Sequence, residues 1–180
     1  MGPGALALFA AMPLAAQDPT DRHQISAENN WSITDSDCAI DASWDSGEQI
    51  LVTRHNDHHD FGVYNPHFKK VVNDKIVPVR FGAGDVAIQG RDYFALGRKD
   101  KDAISYVSDV DEGMLDQVAK ANAFRFYRDD ILLADLDMTG FAEALGAMRR
   151  CEAKNPVQPE DASMEAADAA AAAAIEPAKE

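Results

Sequence analysis

The sequence is poor in three things: basic residues, long apolar runs and cysteine. Lysine and arginine together number 17 against 31 aspartates and glutamates, giving a net charge of −14 and a pI near 4.6. A surface of that sign repels phosphate backbones, which argues against a nucleic-acid partner. It equally disfavours anionic membrane surfaces. No run approaches the roughly twenty consecutive apolar residues that a membrane-spanning helix needs, so no transmembrane segment is expected. Catalytic signatures are missing as well. There is no helical His-Glu-x-x-His, and no Gly-x-Ser-x-Gly to present a nucleophile. Gly82-Ala83-Gly84 has no third glycine and no helix directly after it, so it reads as a loop rather than a dinucleotide cradle. Asp45-Ser46-Gly47 is the triplet by which aspartic proteases present a carboxylate, but no second copy exists to share the proton, and the triplet reads as a turn. These gaps favour a non-enzymatic protein.

The two cysteines, Cys38 and Cys151, stand at opposite ends of the patterned part of the chain. The reading is a disulfide that ties the last helix to the first strong strand, with an oxidising compartment to match; the alternative is two buried thiols. Such a bridge closes a loop of about 113 residues, worth roughly 4–5 kcal/mol by loop-closure entropy.

Residues 1–16, MGPGALALFAAMPLAA, are apolar from Ala5 and end on the small pair Ala15-Ala16, as the apolar part of a secretory signal does, although no basic residue precedes the run. The expectation is a periplasmic or secreted protein. Residues 17–30 are polar and read as a loose lead-in. Residues 152–180 are rich in Ala, Glu, Asp and Pro and carry −5, which leaves −9 on residues 17–151. With almost no large apolar side chain to bury, this tail is expected to be disordered.

Between them, residues 31–151 alternate in the manner of strands. Cys38, Ile40, Ala42 and Trp44 alternate with polar residues, and so do Val77, Val79 and Phe81. Pro78 within that run argues for an edge position or a bulge. Residues 111–122 suit a short helix with Met114, Leu115, Val118 and Ala119 on one face and acids in the first turn. Phe124–Tyr127 and Ile131–Leu136 form a hairpin around Arg128-Asp129-Asp130. Residues 139–151 form the C-terminal helix: Phe141, Ala144, Leu145 and Met148 fall on one face, Thr139 is the expected N-cap, and Arg149 and Arg150 occupy the last turn. About eight short strands and two helices predict an α+β, β-rich domain, either a single antiparallel sheet or a sandwich.

The ending Leu136, Gly140, Phe141, Ala144, Leu145, with the early Trp31 and Cys38, resembles small exported domains of alphaproteobacteria, including the invasion-associated locus B family. That resemblance covers residues 31–151 and implies a periplasmic, β-rich domain without established catalytic residues. The family usually carries more cysteines than this chain, so its disulfide scheme does not carry over.

One cluster could carry chemistry. His55, His58 and His59 lie with Asp57 and Asp60 in a polar hairpin loop, and His67 follows, so four of five histidines fall within thirteen residues. Imidazoles and carboxylates at that range could hold Zn²⁺ or Cu²⁺; the plain alternative is a solvated loop. The function expected from the sequence is therefore an exported binding or envelope-interaction module for an unknown protein or small ligand, with divalent-metal binding at His55–Asp60 as the alternative.

Overall fold

Alternating residues along Trp31–Thr34, Ala39–Ser43 and Gln49–His55 lay down the first strands of an antiparallel sheet, with Trp31, Ile33, Ile40, Ala42, Ile50 and Val52 turned to one face. The computed structural model describes residues 22–25, 30–55, 58–68, 71–88, 92–99 and 104–156. Among these, eleven strands are formed: β1 (Arg22–Gln24), β2 (Trp31–Thr34), β3 (Ala39–Ser43), β4 (Gln49–His55), β5 (His58–Tyr64), β6 (Lys75–Ala83), β7 (Val86–Ala87), β8 (Tyr93–Lys99), β9 (Ile104–Val110), β10 (Ala123–Arg128) and β11 (Ile131–Asp137). Two helices accompany them, α1 (Glu112–Ala121) and α2 (Phe141–Lys154). The strands form one open sheet in the order β1-β2-β3-β4-β5-β9-β8-β6-β10-β11, with β7 paired to β6, and every pair is antiparallel. The architecture is thus α+β and β-rich, a single sheet rather than a sandwich.

One face of the sheet and both helices enclose the core. Phe61, Phe81, Phe124 and Phe126 interlock there, with ring centroids 4.9 to 6.3 Å apart. Helix α1 buries Met114, Leu115 and Val118, and α2 buries Phe141, Ala144, Leu145, Met148 and Cys151, the faces that helical spacing predicts. Each of the Met, Leu, Val and Phe side chains among these contributes about 1.5–3 kcal/mol when fully buried. Helix α2 packs on β2 and β3, where Trp31 meets Phe141 at 5.0 Å, and α1 packs on β6 and β10. Both helices therefore cover the same face.

The ends of α1 follow from side-chain chemistry. Asp111 accepts from the Met114 N–H at 2.8 Å, and Asn122 closes the helix in the left-handed region at φ +49°. Helix α2 departs from expectation. Thr139 is not its N-cap: the Thr139 hydroxyl and N–H both bond back to Asp137 Oδ1, at 2.7 and 2.9 Å, and Gly140 at φ +88° takes the cap position without a side chain. Asp137 wins because an aspartate two residues upstream closes an Asx turn. Nor does the helix stop at Cys151. It runs to Lys154, two residues before Pro156, so residues 152–155 belong to the fold rather than the tail, and Arg149 and Arg150 precede the last turn. Arg149 reaches instead to α1, bonding Glu112 at 3.1 Å and Asp116 at 2.9 Å.

Cys38 and Cys151 form the expected disulfide, with Cα atoms 5.5 Å apart across a separation of 113 residues. It staples α2 to the β2–β3 turn. Strand β1 is a further departure, because it lies within the stretch read as loose lead-in. The Arg22 guanidinium holds it to β2 and β3 by bonding Ser32 Oγ at 3.0 Å and Asp41. The turn at Asp45-Ser46-Gly47 is present, with Gly47 at φ +93°. Asp129 and Asp130 both have positive φ, the requirement of a two-residue hairpin turn that matches strand twist. At Gly82-Ala83-Gly84 only Gly84 turns; Gly82 and Ala83 belong to β6. Pro78 sits where β6 has β8 on one side and where β10, which begins to pair at Arg80, has not yet reached the other. Residues 1–16, most of the lead-in and everything beyond 156 lie outside the described residues.

Candidate functional site

The histidine cluster is carried by strands more than by a loop. β4 extends to His55 and β5 begins at His58, in the register His55↔His58, Arg54↔His59 and Thr53↔Asp60. Side chains alternate between faces along a strand, so pairing divides the cluster. His55, His58 and Asp60 stand on the face away from the helices, while His59 and Arg54 stand on the helix-covered face. Asp57 lies outside the described residues. His67 lies beyond the far end of β5, where its N–H donates to Asn65 Oδ1 at 2.7 Å. The sequence reading placed His55 to Asp60 in one loop, and periodicity of two is what separates His59 from His55, His58 and Asp60.

On the outer face the imidazoles of His55 and His58 stack, with centroids 5.1 Å apart and an interplanar angle of 25°. His55 Nδ1 is 3.9 Å from one Asp60 oxygen and His58 Nε2 is 4.0 Å from the other. Asp60 is also the cross-strand partner of Asp109 on β9. Burial raises the Asp60 carboxyl above the ordinary aspartate range; the two imidazoles pull it down and Asp109 pushes it up. Among the described residues, no three His, Cys, Asp or Glu side chains stand close enough together to hold a metal ion as they are oriented.

On the inner face His59 is 6 % exposed and works as a clasp. Its Nε2 lies 2.9 Å from Glu152 of α2 and its Nδ1 lies 3.5 Å from Glu112 of α1. Beside it, Arg54 donates to the carbonyls of Glu152 at 3.5 Å and Asn155 at 2.7 Å, placing positive charge at the C-terminal end of α2. Strand β5, α1 and α2 thus meet at one imidazole. Sequence reasoning missed this role because Glu152 is 93 residues from His59 and was assigned to the tail.

Elsewhere, Arg22, His23, Gln24, Asn30, Ser32 and Ser43 line an open groove of about 510 Å³ at the β1–β3 end. The buried acid next to it, Asp41, is engaged by Arg22 and Ser32, yet burial outweighs both and raises its carboxyl. Tyr93, Tyr106 and the described phenylalanines other than Phe94 are core.

The outer face carries a second feature. Cross-strand pairing aligns Leu51, Gly62, Val107, Leu96 and Ile76 in one row across β4, β5, β9, β8 and β6. Tyr64 folds over Gly62, where an added Cβ would come within 3.0 Å of its ring, and burial raises its phenol. Pro78 and Phe94 are paired in the adjacent row, which also holds Asp60 and Asp109. Ile76 is 60 % and Phe94 55 % exposed. Among the described residues no helix crosses this face, since both helices pack on the other. No described helix is long and apolar enough to cross a membrane. No family model, curated protein or solved structure matches this chain.

Proposed function

We propose that the protein is an exported, non-enzymatic binding module, and that the outer face of its sheet, which no described helix crosses, is the binding surface. The observation that carries this is the apolar row Leu51–Val107–Leu96–Ile76 with Phe94 beside it, on the face that no described helix packs against. Large apolar side chains clustered on a solvated strand face, where polar residues are the norm, mark an interaction site. The disulfide and the apolar stretch 1–16 support an oxidising, exported setting, as does the resemblance to small exported alphaproteobacterial domains.

The test has two parts. The full reading frame is expressed in a bacterial host and the intact mass of the periplasmic protein is measured. The expected result is a chain shortened at its N-terminus and carrying the mass deficit of one disulfide. A photo-crosslinking residue is then placed at Phe94 in the exported protein, with Lys120 on exposed α1 as control. Discrete adducts at Phe94 alone support the reading; an unprocessed, reduced chain refutes export, and no adduct, or equal adducts at both positions, refutes the binding face.

A second reading is divalent-metal binding at the β4–β5 hairpin, favoured by the convergence of His55 and His58 on the two oxygens of Asp60. Rotation of the rings about χ1 and χ2 would be needed to aim three donors at one Zn²⁺ or Cu²⁺. Native mass spectrometry of protein purified without chelator tests it: a stoichiometric metal adduct lost in His55→Ala/His58→Ala supports the reading, and an adduct-free spectrum in the presence of added zinc and copper refutes it.

A further inference from the structure

We propose that the outer face docks a cationic amphipathic segment of another protein, with apolar side chains seated on Ile76, Phe94, Leu96 and Val107 and with lysine or arginine placed against Asp60 and Asp109. This rests on the binding-module reading and names its partner chemistry.

The placement of groups supports the choice. The apolar row spans five strands, a width of about 19 Å at the usual interstrand spacing. Continuing the β8–β9 register beyond Ala95↔Ser108 sets Phe94 beside Asp109, and Ser108 Oγ donates to the Phe94 carbonyl at 2.8 Å. Along one border of the row, therefore, two carboxylates stand directly across from each other. Like charges set opposite on adjacent strands cost stability. A cation brought to this border relieves it. Of the cationic groups on the face, Arg98 bonds Asp74 at 2.6 Å, Arg80 pairs with Asp130, and the imidazoles of His55 and His58 flank Asp60.

The competing occupants fit less well. A second copy would bring an equally acidic face, net −14 per chain, against this one. The row with Phe94, Pro78 and Tyr64 is also small beside the roughly 20–30 residues that each partner contributes to a standard interface. An anionic lipid surface meets the same repulsion. A short segment needs only a few anchors, and the charge of the chain draws cationic partners in.

The experiment uses the oxidised full chain and three fluorescent nonapeptides read by anisotropy: alternating Lys-Leu, alternating Glu-Leu and alternating Lys-Ser. The expected result is saturable binding of Lys-Leu alone. Ile76→Ser/Phe94→Ser should weaken it by about tenfold or more, as loss of two central apolar anchors does. Asp60→Asn/Asp109→Asn should weaken it by roughly three- to tenfold and flatten its salt dependence. Ile131→Ser/Leu132→Ser, on exposed apolar residues of β11 outside the row, should leave it unchanged; thermal melts confirm that all variants fold. Equal binding of Lys-Ser, or equal loss in the β11 variant, overturns the proposal as non-specific attraction to an acidic protein. Binding of Glu-Leu that depends on Phe94 overturns the cationic partner and keeps the binding face. Concentration-dependent dimerisation abolished by Phe94→Ser assigns the face to a second copy instead. Absence of binding by any peptide, with no dimer, overturns both this proposal and the binding-face reading.

Discussion

Breaking the disulfide should remove a large part of the stability of this domain, and the amount follows from the loop it closes. Cross-linking residues 113 apart lowers the entropy of the unfolded chain by about 16 cal/mol/K in the loop-closure treatment, or about 5 kcal/mol at 25 °C. Domains of this size have some 5–15 kcal/mol in all, so the bridge accounts for a third or more. With a urea m-value of about 2 kcal/mol per M, the midpoint should fall by about 2.5 M on reduction. The comparison needs three samples: oxidised protein, the same protein with reductant, and Cys38→Ala/Cys151→Ala. Alanine is preferred to serine because Cys38 and Cys151 are 1 % and 8 % exposed, and a buried hydroxyl would add its own cost. Reduction keeps the sulfur volume and isolates the cross-link; the alanine pair adds the loss of packing, about 1 kcal/mol per site. After reduction α2 is held to the sheet by Trp31–Phe141 packing, by the Trp31 Nε1 bond to the Thr139 carbonyl and by the His59 clasp. Amide exchange in α2 should therefore accelerate more than in β4, β5 and β9, which the bridge does not touch. A reduced protein within 1 kcal/mol of the oxidised one, or uniform acceleration across the sheet, refutes the reasoning.

Further expectations rest on the two faces of the β4–β5 hairpin. His59→Leu should cost about 2–3 kcal/mol in urea melts, because Glu152 loses its partner in a part-buried position; a loss below 0.5 kcal/mol would show that the clasp is ornamental. In a double-mutant cycle, His59→Leu with Glu152→Gln should show a coupling of about 1 kcal/mol. The third concerns pH. A carboxyl whose folded pKa is raised favours the folded state fully only below the unfolded value, and that contribution is lost as pH rises through the folded pKa. Asp60→Asn should thus match the wild type in acid and gain on it as pH climbs past the ordinary aspartate range; a gap that shrinks with rising pH would contradict the assigned burial of Asp60.

What the sequence made legible is what short-range periodicity encodes. The buried faces of α1 and α2, the hairpin at Asp129-Asp130, the turn at Asp45-Ser46-Gly47 and the pairing of the only two cysteines all follow from spacing within a few residues or from there being one possible bridge. The Thr139 cap failed because two polar side chains competed for the same turn, and Asp137 sits closer to the geometry an Asx turn requires. The candidate site was legible as composition and illegible as arrangement. A run of His, Asn and Asp reads as loop, yet strand pairing carries β4 and β5 almost to its tip, and a period of two then sends His59 inward and His55, His58 and Asp60 outward. The partner that gives His59 its meaning comes from 93 residues away, and the neighbour that unsettles Asp60 comes from β9. The apolar row on the outer face shows the same limit from the other side. Leu51, Val107, Leu96 and Ile76 are scattered over four strands, and each passes singly for an ordinary surface residue. Only the register β4-β5-β9-β8-β6 brings them into line beside a pair of aspartates. The candidate face of this chain thus emerges only from strand order, which residue-by-residue reading does not supply.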